Sequence, residues 1–287
     1  MVRAVCVASA WVLALSVWLF PVTAARAQSR PLAVHVLDAG AGDATWLATP
    51  DMSTVVVLEC GTTGYGRQFL SLLLASGVQR IDVLAPTSAR PEVVGGCTDL
   101  LQGLPVGQLW LTGQTDPSTS WRTFQASYQA DGLQPNYWRA GADPVAWGDL
   151  SAQAFNPGAV VPGAPLDPFD DSLALFLQYG AARMVVLGGL RANGQSAAIQ
   201  AGLPQASVLK TAVHDDRQLP SATLLNAVTP QVLVLSAPSN ASGLASMGVP
   251  QVCSTASGAV AINLPADGTP PLAVNVRNQA CSLNANA

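Results

Sequence analysis

The residues able to do chemistry are few. Past residue 27 the sequence holds two histidines, His35 and His214, and four cysteines, Cys60, Cys97, Cys253 and Cys281. A serine hydrolase needs a base beside its nucleophile, and no GxSxG elbow occurs, so that mechanism has little to work with. None of the cysteines stands in a CxxC pair, which argues against a zinc ribbon or a thioredoxin-like redox motif. His35 alternates with apolar neighbours from Leu32 to Leu37 and reads as a structural strand histidine. Arg90 and Glu92 stand two apart. The functional reading makes Arg90, with Arg217 as a second cation, an anion-recognition site, since a guanidinium suits phosphate or carboxylate. The plainer reading is a solvated pair in a loop without a task. The glycine-rich turn from Asp38 to Asp43, with Gly40 and Gly42, lacks the Lys-Ser/Thr ending of a P-loop and the helix that binds pyrophosphate. It reads as a turn scaffold in which Asp38 and Asp43 cap backbone donors. Trp110, Trp121, Trp138 and Trp147 offer an aromatic surface for a glycan or peptide, but such residues in helices and strands belong first to a core.

Composition narrows the partners. The 287 residues are 49% hydrophobic and 10% charged, ample to bury a core and too apolar for a disordered chain. The 13 Lys+Arg against 17 Asp+Glu give a net charge of −4, so nucleic acid is an unfavoured partner. Residues 1–27 read as a secretory signal: Arg3 at the start, an apolar middle from Ala10 to Phe20, and small residues at Ala25 and Ala27. An uncleaved anchor from Ala4 to Ala25 is the rival, and Pro21 followed by the small-residue site favours cleavage. Cleavage leaves 11 basic and 17 acidic residues and no further segment able to span a membrane. The expected location is the periplasm or the exterior. Four remaining cysteines in an oxidising compartment suggest two disulfides, for which spacing alone permits three connectivities.

Elements must position these residues. Three β-rich segments, 32–37, 44–49 and 54–58, follow one another across tight turns as a meander. Helices near 68–75 and 96–102 then alternate with strands at 81–84 and 108–111, as in α/β packing. A second half repeats the theme, with strands near 172–178, 183–187 and 232–235 and helices near 194–200 and 221–227. The chain closes on strands at 259–263 and 272–276. The Pro/Gly/Asp-rich stretch 156–171 reads as a loop, and residues 28–287 as a single domain of two similar halves.

Ordered motifs along the chain resemble a known family. The opening LAVHVLDAGAGDATWLATPD (Leu32 to Asp51) is similar to the start of the metallo-β-lactamase-like domain of the ComEC/Rec2 DNA-uptake proteins, with Asp38, Gly40, Gly42 and Asp43 on its Asp-x-Gly-x-Gly-Asp turn. LECG follows, with Glu59 at an acidic strand-end position. RIDVLAPTSARPEVVGGCTDLL (Arg80 to Leu101) resembles the strand, loop and helix that carry the family's HxHxDHxGG signature. The likeness extends through Ser172 to Leu190, Ser207 to Asp216 and Val252 to Ile262. It implies an α/β fold, a metallo-β-lactamase-like αββα four-layer sandwich.

The departures bear on function. The signature's metal ligands are replaced by Ser88, Arg90, Glu92 and Val93, the later acidic ligand by Gly189, and the His-His-Gly run by Val213, His214 and Asp215. Only Glu92 and His214 remain as donors, too few for a catalytic zinc site. A permanent cation at position 90 would moreover repel a divalent ion. The resemblance therefore implies a pseudoenzyme with no metal, no cofactor and no catalytic residue. It would serve as a binding or assembly module for an anionic small molecule or a protein partner. The rival is a residual metal-dependent phosphoesterase using Glu92, His214 and Asp215 or Asp216. The family fold also brings Cys60 and Cys97 together beside the cleft. Cys253 and Cys281 flank the last two strands and could pair across them; free buried thiols are the alternative.

Overall fold

The structure is a computed structural model that describes residues 30–158, 167–236, 248–275 and 281–283. The expected signal segment lies outside the described residues, as does part of the 156–171 loop. Sixteen strands and six α-helices are described. The first sheet draws on β1 (Leu32–Ala39), β2 (Gly42–Ala48), β3 (Val55–Cys60), β4 (Ile81–Leu84), β5 (Val106–Leu111) and β6 (Pro135–Tyr137). The second draws on β7 (Val145–Trp147), β8 (Leu150–Asn156), β9 (Ala174–Tyr179), β10 (Ala182–Leu187), β11 (Val208–Ala212), β12 (Val232–Ser236) and β13 (Gln251–Ser254). After β13 the chain returns to the first sheet with β14 (Val260–Leu264) and β15 (Leu272–Asn275), and β16 (Ser282–Leu283) rejoins the second. The helices are α1 (Gly66–Ala75), α2 (Pro91–Val94), α3 (Cys97–Gly103), α4 (Thr119–Ala130), α5 (Ala192–Gln200) and α6 (Ala222–Val228).

Each sheet has eight strands, in the orders β15-β14-β1-β2-β3-β4-β5-β6 and β16-β13-β12-β11-β10-β9-β8-β7. The expected meander is present: β1, β2 and β3 are antiparallel neighbours. From β3 to β6 the pairing turns parallel. The second sheet follows the same scheme, antiparallel across β8, β9 and β10 and then parallel from β10 to β13. Parallel neighbours need crossovers, and α1, α3, α5 and α6 supply several of them.

Three apolar clusters define the layers. Between the sheets, Val34, Leu47, Val56 and Leu58 of the first pack with Leu175, Met184, Val186, Val208 and Val234 of the second. Outside the first sheet lie Phe69 and Leu73 of α1, Leu100 of α3 and Trp121, Phe124 and Tyr128 of α4. Outside the second lie Ala198 of α5 and Leu224 and Val228 of α6. The architecture is thus an αββα sandwich. Two helices start on serine caps: Ser118 accepts from the Trp121 N–H and Ser221 from the Leu224 N–H, each cap contributing about 1 kcal/mol.

Sequence periodicity missed α4, whose buried Trp121, Phe124 and Tyr128 lie at helical spacing among Thr, Ser and Gln. It also placed no element at α2, β8, β11 or β13. Trp110, Trp138 and Trp147 form one cluster, with ring centroids 4.4 to 6.4 Å apart, that belongs to the core between the sheets. His35 stacks on Trp46 at 4.4 Å, and burial lowers its pKa, in keeping with a neutral structural ring. The sulfurs of Cys60 and Cys97 are bonded, as are those of Cys253 and Cys281. No helix among the described residues is long and apolar enough to cross a membrane.

Candidate functional site

The polar side chains buried between the sheets gather toward one end of them. Glu59 lies near the end of β3, Ser88 and Arg90 follow β4, Gly188 and Gly189 follow β10, His214 follows β11, and Ser236 ends β12. In open α/β sheets the carboxyl ends of parallel strands are where loops diverge and ligands bind. Asp43 enters the same region from the start of β2. Its neighbour Gly42 is required by close approach: a Cβ there would sit 2.6 Å from the Thr62 nitrogen and 3.1 Å from the Glu92 carbonyl oxygen.

The deepest group is an ion pair across the sheets. Lys210 of β11 places Nζ 2.6 and 2.5 Å from the two carboxylate oxygens of Glu59, and both side chains are fully buried. The Thr45 hydroxyl donates to Oε2 at 2.7 Å and the Thr87 hydroxyl to Oε1 at 3.0 Å. A buried charge is tolerated only when paired and hydrogen-bonded, and Glu59 is both. The chain contains one lysine and two glutamates, Glu59 and Glu92, and all three are in this region.

A second link crosses the sheets beside the first. Asp43 accepts from the Ser236 hydroxyl at 2.6 Å on one oxygen and meets His214 Nε2 at 2.7 Å on the other. Burial would raise the Asp43 pKa, but the Lys210 charge, the hydrogen bond and charge of His214, and Ser236 together hold it at about 2. Burial likewise works to lower the His214 pKa; the hydrogen bond and charge of Asp43 outweigh it, and the pKa is raised. The expected turn-scaffold role fits Asp38, which accepts from the Gly40 N–H at 3.3 Å. Asp43 and Glu59 instead turn inward to partners on the second sheet. Serine and histidine both bind the aspartate here, so the order is Ser–Asp–His and not the Ser–His–Asp of a hydrolase triad.

Arg90 bridges the loops of the two sheets. Its side chain is 4% exposed. Nε donates to the Ser88 hydroxyl at 3.2 Å and Nη2 to the Gly188 carbonyl at 3.0 Å, the second bond crossing to the other sheet. Nη1 lies 3.0 Å from Glu92 Oε1 as an ion pair, off the line of a hydrogen bond. Phe169 is stacked by two guanidiniums, Arg90 at 4.6 Å and Arg191 at 3.5 Å from its centroid. Gly189, at φ +86°, leaves room for these groups: a Cβ would come within 3.0 Å of Arg90 Nη2 and 2.6 Å of the Gln218 amide nitrogen. Gln218 ties the loops together, accepting from the backbone of His214 and Asp215 and donating to the Gly189 carbonyl.

The sequence-derived candidates thus fall into different roles. Ser88, Arg90, Glu92 and the Gly188–Gly189 turn are brought together. Val93 is not: it is buried in the apolar cluster outside the first sheet. Asp215 faces Arg191 at 3.0 Å and caps the following turn. Burial works to raise the Asp215 pKa, but the Arg191 hydrogen bond, the Arg217 N–H and the charges of both arginines together outweigh it, and the pKa is lowered. Arg217 pairs with Asp215 and is 73% exposed; the cation that shares Phe169 with Arg90 is Arg191. Glu92, His214 and Asp215 therefore have three separate partners. Lys210 was missed, though its signal was present: the chain's only lysine stands inside the apolar run Ser207 to Val213.

These donors do not fit a divalent metal. A buried guanidinium lies among them, and the two buried carboxylates are already engaged, Glu59 by Lys210 and Asp43 by His214 and Ser236. Among the described residues no group of three His, Cys, Asp or Glu side chains is gathered. The molecule has metallo-β-lactamase-like αββα layering, with the loops at its mouth bound to one another.

No family model and no curated protein matches the sequence. Solved structures similar to the chain include a diphosphatase of the PhnP family, at 10% identity and TM-score 0.49 over 82% of this chain and 98% of that one. Zn(2+)-bound PqqB from Methylobacterium extorquens is similar at 15% identity and TM-score 0.45, over 64% and 74%. CmlA, a diiron β-hydroxylase from Streptomyces venezuelae, gives 8% identity and TM-score 0.47 over 72% of this chain. The chain spans 44% of CmlA's length. At such values no residue role passes from these proteins to this one.

Proposed function

We propose that the chain is an exported relative of the ComEC/Rec2 metallo-β-lactamase-like domain that has given up hydrolysis. It would act as a metal-independent binding or assembly module, residues 28–287 forming one domain after cleavage of residues 1–27. One observation carries the reading: Arg90 donates to Ser88 and Gly188 and forms an ion pair with Glu92, the groups at or beside the positions where the resemblance would put metal ligands. Without a metal, no residue of the cleft lowers the pKa of a bound water to near neutrality. Export is supported by two disulfides, which suit an oxidising compartment. The partner is an anionic small molecule or a protein.

Purified 28–287, expressed with export, tests this. Elemental analysis should find far less than one equivalent of zinc, manganese or iron per chain. Hydrolysis of bis(p-nitrophenyl) phosphate should not exceed buffer with or without added manganese. Stoichiometric metal together with chelator-sensitive turnover would overturn the reading.

A further inference from the structure

We infer that Arg90 is the resident cation of this cleft, a guanidinium tethered to the backbone that joins the two sheets where a divalent ion would otherwise have to do so. This rests on the metal-independent reading and adds what replaces the ion. Three features carry it. A guanidinium offers five donors in a planar fork, and Arg90 directs two of them to a hydroxyl and a carbonyl of the loops that follow β4 and β10, while its charge is paired with Glu92 of α2. Its charge is permanent and its side chain almost wholly buried, so it needs a resident anion; Glu92 provides one and Phe169 covers the group. The other buried acids of the cleft, Glu59 and Asp43, are each matched by a side chain of the second sheet, Glu59 by the Lys210 ammonium and Asp43 by the His214 ring. Each buried acid therefore has its own partner, and all are built into the chain.

The test is chemical rescue. Arg90→Ala should lower the melting temperature by on the order of 5–10 °C. Millimolar methylguanidinium should restore most of that loss saturably, while urea at the same concentration, the neutral isostere, should not. Arg90→Lys, which keeps the charge but loses the fork, should fall between the two. Wild-type protein should respond to neither methylguanidinium, EDTA nor zinc, and its NMR spectrum should hold an arginine Nε–H signal protected from exchange. That last measurement stands even if Arg90→Ala does not fold. A variant that melts like wild type, rescue equal with urea, or a wild-type chain saturably stabilised by zinc with loss of the protected Nε–H would overturn the inference. Metal in the purified chain refutes the functional reading, whereas a metal-free Arg90→Ala chain with unchanged melting refutes this inference alone.

Discussion

The ionic groups between the sheets lie at two depths. The inner pair, Lys210 and Glu59, has no solvent exposure, and two threonine hydroxyls occupy the remaining carboxylate positions. The outer groups keep an open side: His214 is 17% and Glu92 25% exposed, opposite partners that are almost or fully buried. Coulomb attraction and the cost of lost hydration both grow with depth, so an inner partner, once lost, has no water to replace it, and an outer one does. Depth thus separates groups that hold the fold from groups that can respond to conditions.

The comparison is most easily broken at the inner pair. Lys210→Met strands Glu59 and should cost about 3–5 kcal/mol, read as a shift in the urea unfolding midpoint. Adding Glu59→Gln should recover about half, because the amide is neutral, its oxygen still accepts from one threonine hydroxyl and its nitrogen can donate to the other. A single substitution costing under about 1 kcal/mol would mean the pair is not anchored at depth. Next in size are the disulfides, which close separations of 37 and 28 residues. Replacing Cys60 and Cys97 by serine should cost about 2–4 kcal/mol on the chain-entropy account, and the Cys253 and Cys281 replacement a similar amount.

At the outer level, His214→Ala should cost about 2 kcal/mol, and the cost should depend on pH. The His214 pKa is raised on folding, so its contribution is full below its ordinary 6.5 and fades as pH rises through the folded value. The Asp43 pKa is lowered from 3.8 to about 2, so its contribution is full above 3.8 and fades toward 2. Wild type should exceed His214→Ala most between about pH 4 and 6.5. Arg90, Glu92 and Lys210 also act on the pair, so midpoints of Arg90→Ala across the same range would show how far the window moves. A pH-independent difference would place His214 outside the ion pair. Smallest of all, Arg217→Ala, on an exposed side chain, should change stability by no more than about 0.5 kcal/mol.

Much of the fold was legible because it is written locally. Alternating apolar residues and turn formers marked β1 to β3, and the run from Ile81 to Leu84 marked β4. The α4 segment was not, since its three buried aromatics sit among residues that also suit loops. At the site, Arg90 and Glu92 could be singled out from their positions in a familiar loop. The cross-sheet partners of Asp43, Glu59 and Arg90 could not, because they lie 98 to 193 residues away and meet only when the sheets stack. Lys210 shows the gap most clearly. A lone lysine in an apolar strand is a visible oddity, but its purpose appears only with Glu59 opposite it.

That solitary, sealed ammonium has a practical corollary. Apart from the N-terminal amine, the folded molecule presents nothing to amine-directed labels or to a lysine-specific protease. Cutting at position 210 would require the sandwich to come apart, so the rate at which such a protease yields two fragments reports directly on how often the whole structure opens.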